Sequence, residues 1–440
     1  MVFRLPSDTV MTTKLLSKII KKHEHEVQHR YLKLKEAYES DLEIFHQAPK
    51  PKWKPDNRIG VNFPKYCVDT MNGFFIGNPI KVTCDDENIS AFLEKFDQYN
   101  NQDDKNAELA KICSIYGTGY ELYYTDEQSE LCSVYLTPIE AFMVFDDSVI
   151  ERPMFFVRLY TDWEGKRFGT ISDSETVRRF AIPGPVEWAS EPEPHYFPGV
   201  PAVEYQENNE RQGIFEPVLS MVNAYNKALS EKANDVDYFA DAYMKVLGSP
   251  LDNTQLKNMR DSRIINFDGN GLEKPEVDFL AKPNSDTTQE NLLERLERLI
   301  FQISMVANIS DENFGASSGI ALKYKLFAMS NLEKVKERKF AAGMTRRYRL
   351  LFGHPSSRVS PDDWTKVKMT FTPNFPANVL EEAQIAAQLE GLISKETQLK
   401  GLSIVDDVKA EMQRMEAEEE GEPDILPSFG ASGEAADGAE

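Results

Sequence analysis

The chain has 440 residues, 41% of them hydrophobic, which is enough for two or three core-forming units. Its 72 acidic and 50 basic residues give a net charge of −22, which excludes a surface built to grip nucleic acid or an anionic membrane. No apolar run has the length of a spanning helix, the first residues lack the compact apolar block and cleavage site of a signal peptide, and Cys67, Cys84, Cys113 and Cys132 form no Cys-x-x-Cys pair, so the expectation is reduced thiols in an intracellular soluble protein or part of an assembly made there.

Residues 13–45 read as a long helix, with Leu16, Ile20, Val27, Tyr31, Leu34, Tyr38, Leu42 and Phe45 along one stripe. Inside it, His25-Glu26-Val27-Gln28-His29 matches the zinc-protease pattern H-E-x-x-H. Each histidine lies two residues from Val27, about 200° around the helix, so both point away from the stripe toward solvent. A catalytic zinc needs a third protein ligand and a dry cavity, and the run from Arg30 to Lys35 offers no third histidine. The match is a chance one. No catalytic residue, metal or cofactor is assigned.

Pro49, Pro51 and Pro55 make residues 48–55 an extended arm. A helix follows, with Asn62 as N-cap, Pro64 in the first turn and Gly77 at its end. Two more helices are expected at 88–99 and 104–116. Aromatic and β-branched runs at 120–124, 131–136, 141–145, 154–160 and 176–182 then read as an antiparallel meander. The first ~210 residues therefore read as an α+β domain.

The second half has a different plan. Residues 215–247 read as one helix, opened by Pro217 and closed by Gly248, with Val218, Val222, Tyr225, Leu229, Val236, Tyr243 and Val246 in its stripe. At roughly 50 Å it is too long for an ordinary globular helix unless it packs on copies of itself or bridges domains. An insert at 249–283 holds strand-like runs 263–267 and 277–280, joined through Asp268-Gly269-Asn270-Gly271 as in a hairpin. Thr287-Thr288-Gln289-Glu290 reads as a capping box for a helix to about residue 305, striped by Leu292, Leu296, Leu299 and Ile303. A short polar loop leads to Ser318, which caps, and Gly319, which turns the chain into a third helix over 320–352. From Ala410 to Glu440 ten acidic residues stand against one basic, which reads as disorder.

Three blocks carry a resemblance: residues 57–79 with their Gly77-Asn78-Pro79 step, residues 224–242, and Ser317-Ser318-Gly319-Ile320-Ala321-Leu322-Lys323-Tyr324-Lys325-Leu326-Phe327-Ala328-Met329. With the order helix, small β insert, helix, loop, long helix, they resemble the portal (head–tail connector) proteins of long-tailed bacteriophages, particularly those of Gram-positive hosts. The likeness runs over residues 59–416 as an order of elements.

The resemblance implies a portal-type α+β fold assembled as a ring, a dodecamer. By that likeness, 1–210 would hold the N-terminal helix, the proline arm and an α+β wing, and 211–248 the first stem helix. The clip would be 249–283, the second stem helix 284–306 and the tunnel loop 307–318. Residues 319–376 would be the long helix and its return to the wing through a strand at 367–372, 377–417 a crown of helices at 378–394 and 403–416, and 418–440 the acidic tail. The DNA-facing loop would be Asp311, Glu312, Asn313, Phe314, Gly315, Ala316, Ser317 and Ser318. Lys323 and Lys325 would reach DNA or a neighbouring subunit, while Lys257, Arg260 and Arg263 would give the clip a basic edge for a head–tail adaptor. The implied function is passage of double-stranded DNA at one capsid vertex of the virion during packaging, retention and ejection. The implied partners are terminase, adaptor, major capsid and scaffolding proteins, with no membrane.

The long helix has nine Lys or Arg against two Glu between 320 and 352, which reads as phosphate contact, inter-subunit pairing or a solvated face. Two rival classes stand beside the portal reading: a helical scaffold or adaptor of a large assembly without DNA passage, and a zinc hydrolase through His25 and His29.

Overall fold

The computed structural model describes residues 2–52, 54–240, 244–247, 264–267, 276–279, 286–309, 319–375, 379–402, 404–405 and 408–421. The chain divides into two compact units, one of residues 1–312 and 324–374, the other of 313–323 and 375–440.

The first unit opens with β1 (Phe3–Leu5) and α1 (Thr13–Glu26), whose cap Thr12 accepts from Leu15 N at 3.3 Å. The helix passes through a π turn, Val27–Tyr31, into α2 (Leu32–Tyr38) and stops there, seven residues short of the expected end. Ser40 takes a left-handed φ of 71°, and Glu43–His46 form a separate 3₁₀ turn. Helix α3 (Phe63–Ile76) has the expected cap: Asn62 Oδ1 accepts from Lys65 N at 2.8 Å and Pro64 lies in the first turn. Short β2 (Lys81–Thr83), α4 (Glu87–Asn100) and α5 (Gln102–Tyr116) follow. Gly117 ends α5 at φ 83°, where an added Cβ would lie 2.0 Å from the Arg211 carbonyl oxygen.

The expected meander is split between two sheets. β3 (Thr118–Thr125) and β4 (Leu131–Leu136) pair with each other and not with the later strands of the meander. β5 (Ala141–Asp146), β6 (Pro153–Thr161), β7 (Arg167–Ser172) and β8 (Thr176–Ala181) run antiparallel in order, with β1 parallel to β5 at one edge. The two-residue β9 (Glu187–Trp188) and β10 (Glu193–Pro194) both pair with β8. β11 (Ala202–Gln206) returns to β3, so the small sheet has the order β11-β3-β4. Sequence reading missed β1, β2, β7, β9, β10 and β11. Helix α1 covers one face of the large sheet with Leu16, Ile19 and Ile20 against Phe142, Val157, Ile171 and Phe180. The opposite face meets the small sheet through Phe156, Met143, Tyr120 and Ala202.

After a 3₁₀ turn, α6 (Leu219–Ala240) is shorter than the expected 215–247 helix. Met244–Leu247 is instead β12, the centre of a three-stranded sheet. It pairs parallel with β13 (Ile264–Phe267) and antiparallel with β14 (Glu276–Phe279). The two insert strands do not pair with each other, so the hairpin expected at Asp268–Gly271 is corrected. Helix α7 (Asp286–Ser304) begins before Thr287, which moves the expected capping box inside its first turn. Its buried apolar side chains are Leu293 and Ile300, while Leu292 and Ile303 are 49% and 44% exposed, a phase one residue away from the expected stripe.

The third helix is broken at Leu326 into α8 (Gly319–Lys325) and α9 (Phe327–Phe352). β15 (Lys368–Thr370) pairs antiparallel with β2. In the second unit α10 (Val379–Leu389), α11 (Lys395–Lys400) and α12 (Val408–Gly421) replace the two expected helices, and Gln398 Nε2 donates to Ala386 O at 2.6 Å. No helix among the described residues is long and apolar enough to cross a membrane.

Candidate functional site

The region with functional geometry is a helical hairpin, α6 and α7, held on the α+β half of the first unit. Residue numbers fall along α7 as they rise along α6: Gln289 donates to Asp235 at 3.3 Å, Glu290 pairs with Lys232, and nearer the base Phe63 lies edge-on to both Tyr225 (5.0 Å) and Phe301 (5.7 Å). The helices are therefore antiparallel, and β12 to β14 lie between them in the chain. Helix α3 plugs the base: Cys67 is buried beside Ser304, and Tyr66 takes the Ile309 N–H at 2.8 Å.

A second hold runs along α6. Asn226, Ser230 and Asn234 follow at i, i+4 and i+8 and are buried. Their side-chain oxygens accept from the backbone of Val61 (2.8 Å), Ile59 (2.9 Å) and Asn57 (2.6 Å). Four residues of helix rise about 6 Å and two residues of extended chain about 6.6 Å, so the two repeats stay in step. Residues 57–61, which continue the arm, are thus fastened like an added strand to a helix that offers side chains as its edge. Sequence reading saw neither half of this, although polar residues at every fourth position of a long helix were the available signal.

The third hold is α9. Met329, Glu333, Lys336, Phe340, Met344, Arg347 and Leu351 form its buried face. Two basic residues on that face end in the core rather than on DNA, a neighbouring copy or solvent, which corrects the expectation for those two positions. Lys336 Nζ donates to Glu207 (2.7 Å), Ala110 O (3.0 Å) and Ser114 Oγ, using all three ammonium hydrogens. Arg347 Nε donates to Glu121 at 2.9 Å and its Nη2 to Asn106 at 2.7 Å. Glu121 also accepts from Gln102 (2.8 Å), Tyr205 (2.9 Å) and Tyr123 (2.5 Å). Gly343 completes the fit, since a Cβ there would meet the Tyr205 ring at 2.6 Å. Burial shapes nearby protonation as well. It pushes the Asp97 carboxyl up to about 6, although Arg347 opposes the shift, and it raises Glu333.

The remaining sequence candidates fall at several places. Lys323 and Lys325 are exposed on α8. The expected tunnel residues Asp311, Glu312, Asn313, Phe314, Gly315, Ala316, Ser317 and Ser318 lie outside the described residues, as do Lys257, Arg260, Arg263 and the tail from 422 on. His25 and His29 are exposed, their rings 4.0 Å apart, and no group of three His, Cys, Asp or Glu among the described residues could hold a metal. The cysteines are free, with Cys67, Cys113 and Cys132 buried.

A paired-helix arm interrupted by a small β insert, a loop and a broken long helix returning to an α+β base define a portal-class fold. Residues 16–424 match the family described as phage portal protein, SPP1 Gp6-like, and the chain belongs to that family. It is 22% identical over 418 residues to the portal protein of Clostridium phage phiCD119, covering 86% of this chain and 88% of that one. It is 23% identical over 392 residues to the portal protein of Bacillus phage SPP1, covering 83% and 76%.

Proposed function

We propose that this phage portal protein closes into a ring, a dodecamer, at one vertex of the head and passes double-stranded DNA through its centre. The observation that carries the reading is uncovered apolar surface on the helical elements. Val236 on α6 is 60% exposed, Tyr324 and Phe327 beside the Leu326 break 79% and 63%, and Ile385 on α10 in the second unit 49%. Side chains of this kind at successive helices need a covering partner, and head-to-tail contacts between identical chains form a ring when the rotation between copies closes.

In this reading α6 and α7 are the stem, β12 to β14 with residues 249–283 the clip, and the second unit the crown. The protein has a structural role in the virion, with no catalysis of its own, and terminase supplies the work of packaging. The loop of Asp311 to Ser318 lines the channel, and Lys323 and Lys325 touch phosphate or the next subunit. Lys257, Arg260 and Arg263 steer the head–tail adaptor. A net charge of −22 per subunit gives the ring the sign of DNA, so the polymer slides without tight phosphate contacts.

Negative-stain electron microscopy of the purified chain tests the reading. Rings with a central hole are expected. Irregular oligomers would favour a scaffold or adaptor without DNA passage, and a monomer at high concentration would overturn the ring.

A further inference from the structure

Helix α1 is a basic island in an acidic chain. Its two carboxylates are taken by arginines, Glu24 by Arg167 and Glu26 by Arg30. Its four lysines, Lys14, Lys18, Lys21 and Lys22, are exposed and make no ion pair or hydrogen bond among the described residues. Lys14, Lys18 and Lys21 follow at i, i+4 and i+7, so they share one face. They rim a cavity of ≈ 430 Å³ walled by Pro185 and by the buried Val186.

An aromatic knob stands at the same end of the large sheet. Thr161 pairs with Arg167, and Ile182 N donates to Arg167 O, so the 162–166 hairpin and the loop holding Pro185 leave the sheet together. Trp163 tops that hairpin at 92% exposure. Its turn is rigid: Asp162 Oδ1 accepts from the backbone of Glu164 at 2.9 Å and of Lys166 at 2.8 Å.

We propose that this end of the sheet docks an acidic polypeptide segment carrying apolar anchor residues. Its carboxylates meet Lys14, Lys18 and Lys21, an apolar side chain enters the cavity against Val186 and Pro185, and Trp163 packs over it. With a net charge of −22, most of the surface repels such a segment, and the unpaired lysines mark where it lands. A nucleic acid would use the lysines but not the apolar wall. The proposal is independent of the channel reading, because it holds for the monomer as for a ring.

The test is fluorescence polarisation with the full-length protein and a labelled peptide of Glu and Leu in a seven-residue repeat. Its Glu→Gln counterpart and a short DNA duplex serve as competitors. Saturable binding is expected, at least ten-fold weaker for the Gln peptide and weakened by salt. The Lys14→Gln, Lys18→Gln, Lys21→Gln variant, and separately Trp163→Ala, should each weaken binding at least several-fold while circular dichroism and melting stay unchanged. Equal binding of the two peptides, or full binding by the triple lysine variant, overturns the proposal. Competition by the duplex as strong as by the acidic peptide overturns it too and makes the surface a nucleic-acid one.

Discussion

Lys336 and Glu207 form an ion pair at 2.7 Å with 1% of each side chain exposed, joining the long helix α9 to the residue just after β11. Removing one partner strands the other charge away from water, which costs far more than the pair contributes on its own. Lys336→Met should destabilise the protein by about 3–5 kcal/mol in urea unfolding. Combining it with Glu207→Gln should recover a large part of that loss. A single variant within about 1 kcal/mol of wild type would mean that the pair is not what holds the helix.

Arg347 has a stricter requirement, because Glu121 and Asn106 each take a bond from a different nitrogen of its planar fork. Lysine keeps the charge but cannot reach both. Arg347→Lys should cost at least about 2 kcal/mol, and Tyr205→Phe, which removes one donor to Glu121, about 1–3 kcal/mol. Thermal melts of the two variants check the order.

Fastening of the arm to α6 is separable from the core. With Asn226, Ser230 and Asn234 all changed to Ala, the backbone N–H groups of Asn57, Ile59 and Val61 lose their acceptors. Trypsin cleavage after Arg58 should accelerate at least several-fold, while hydrogen exchange in β5 to β8 stays as in wild type. Unchanged cleavage would show that the arm is held by something else.

Asp97 gives a pH signature. Burial raises its carboxyl in the folded protein to about 6, above the 3.8 of the free side chain. The folded state then binds more protons than the unfolded state between these values, so this contribution to stability is present below about pH 4 and is lost as pH rises through 6. Asp97→Asn should stabilise the protein at pH 7.5 by up to about 3 kcal/mol and be nearly neutral at pH 3.5. Melting curves across that range test it, and a gain independent of pH would assign the effect to something other than this carboxyl.

For the channel reading, a bulky residue in the loop should narrow the passage without touching either stem helix. Gly315→Trp should permit head assembly and block DNA filling. Particle counts and packaged-genome length measure this, and normal filling would remove the loop from the constriction.

Local chemistry made several elements legible in the sequence alone. Helix α3 was readable because its signals are contained within it: Asn62 caps, Pro64 fits the first turn and Gly77 ends it. Strand β4 matches its expected limits because a polar turn bounds it on each side. The family blocks were legible as well, since they are runs of residues. What the sequence left open were choices that depend on a distant partner. Residues 244–247 suit helix or strand by pattern, and pairing with Ile264–Phe267 and Glu276–Phe279 makes them a strand. The Leu292-Leu293 doublet permits two phases for α7, and the packing around it buries only Leu293. The charges of Lys336 and Arg347 are plain in the sequence, but their counter-ions lie 129 and 226 residues away. Whether a charge meets DNA, solvent or a buried carboxylate is settled by what folding brings beside it, because in a low-dielectric core only a hydrogen-bonded partner makes its burial tolerable.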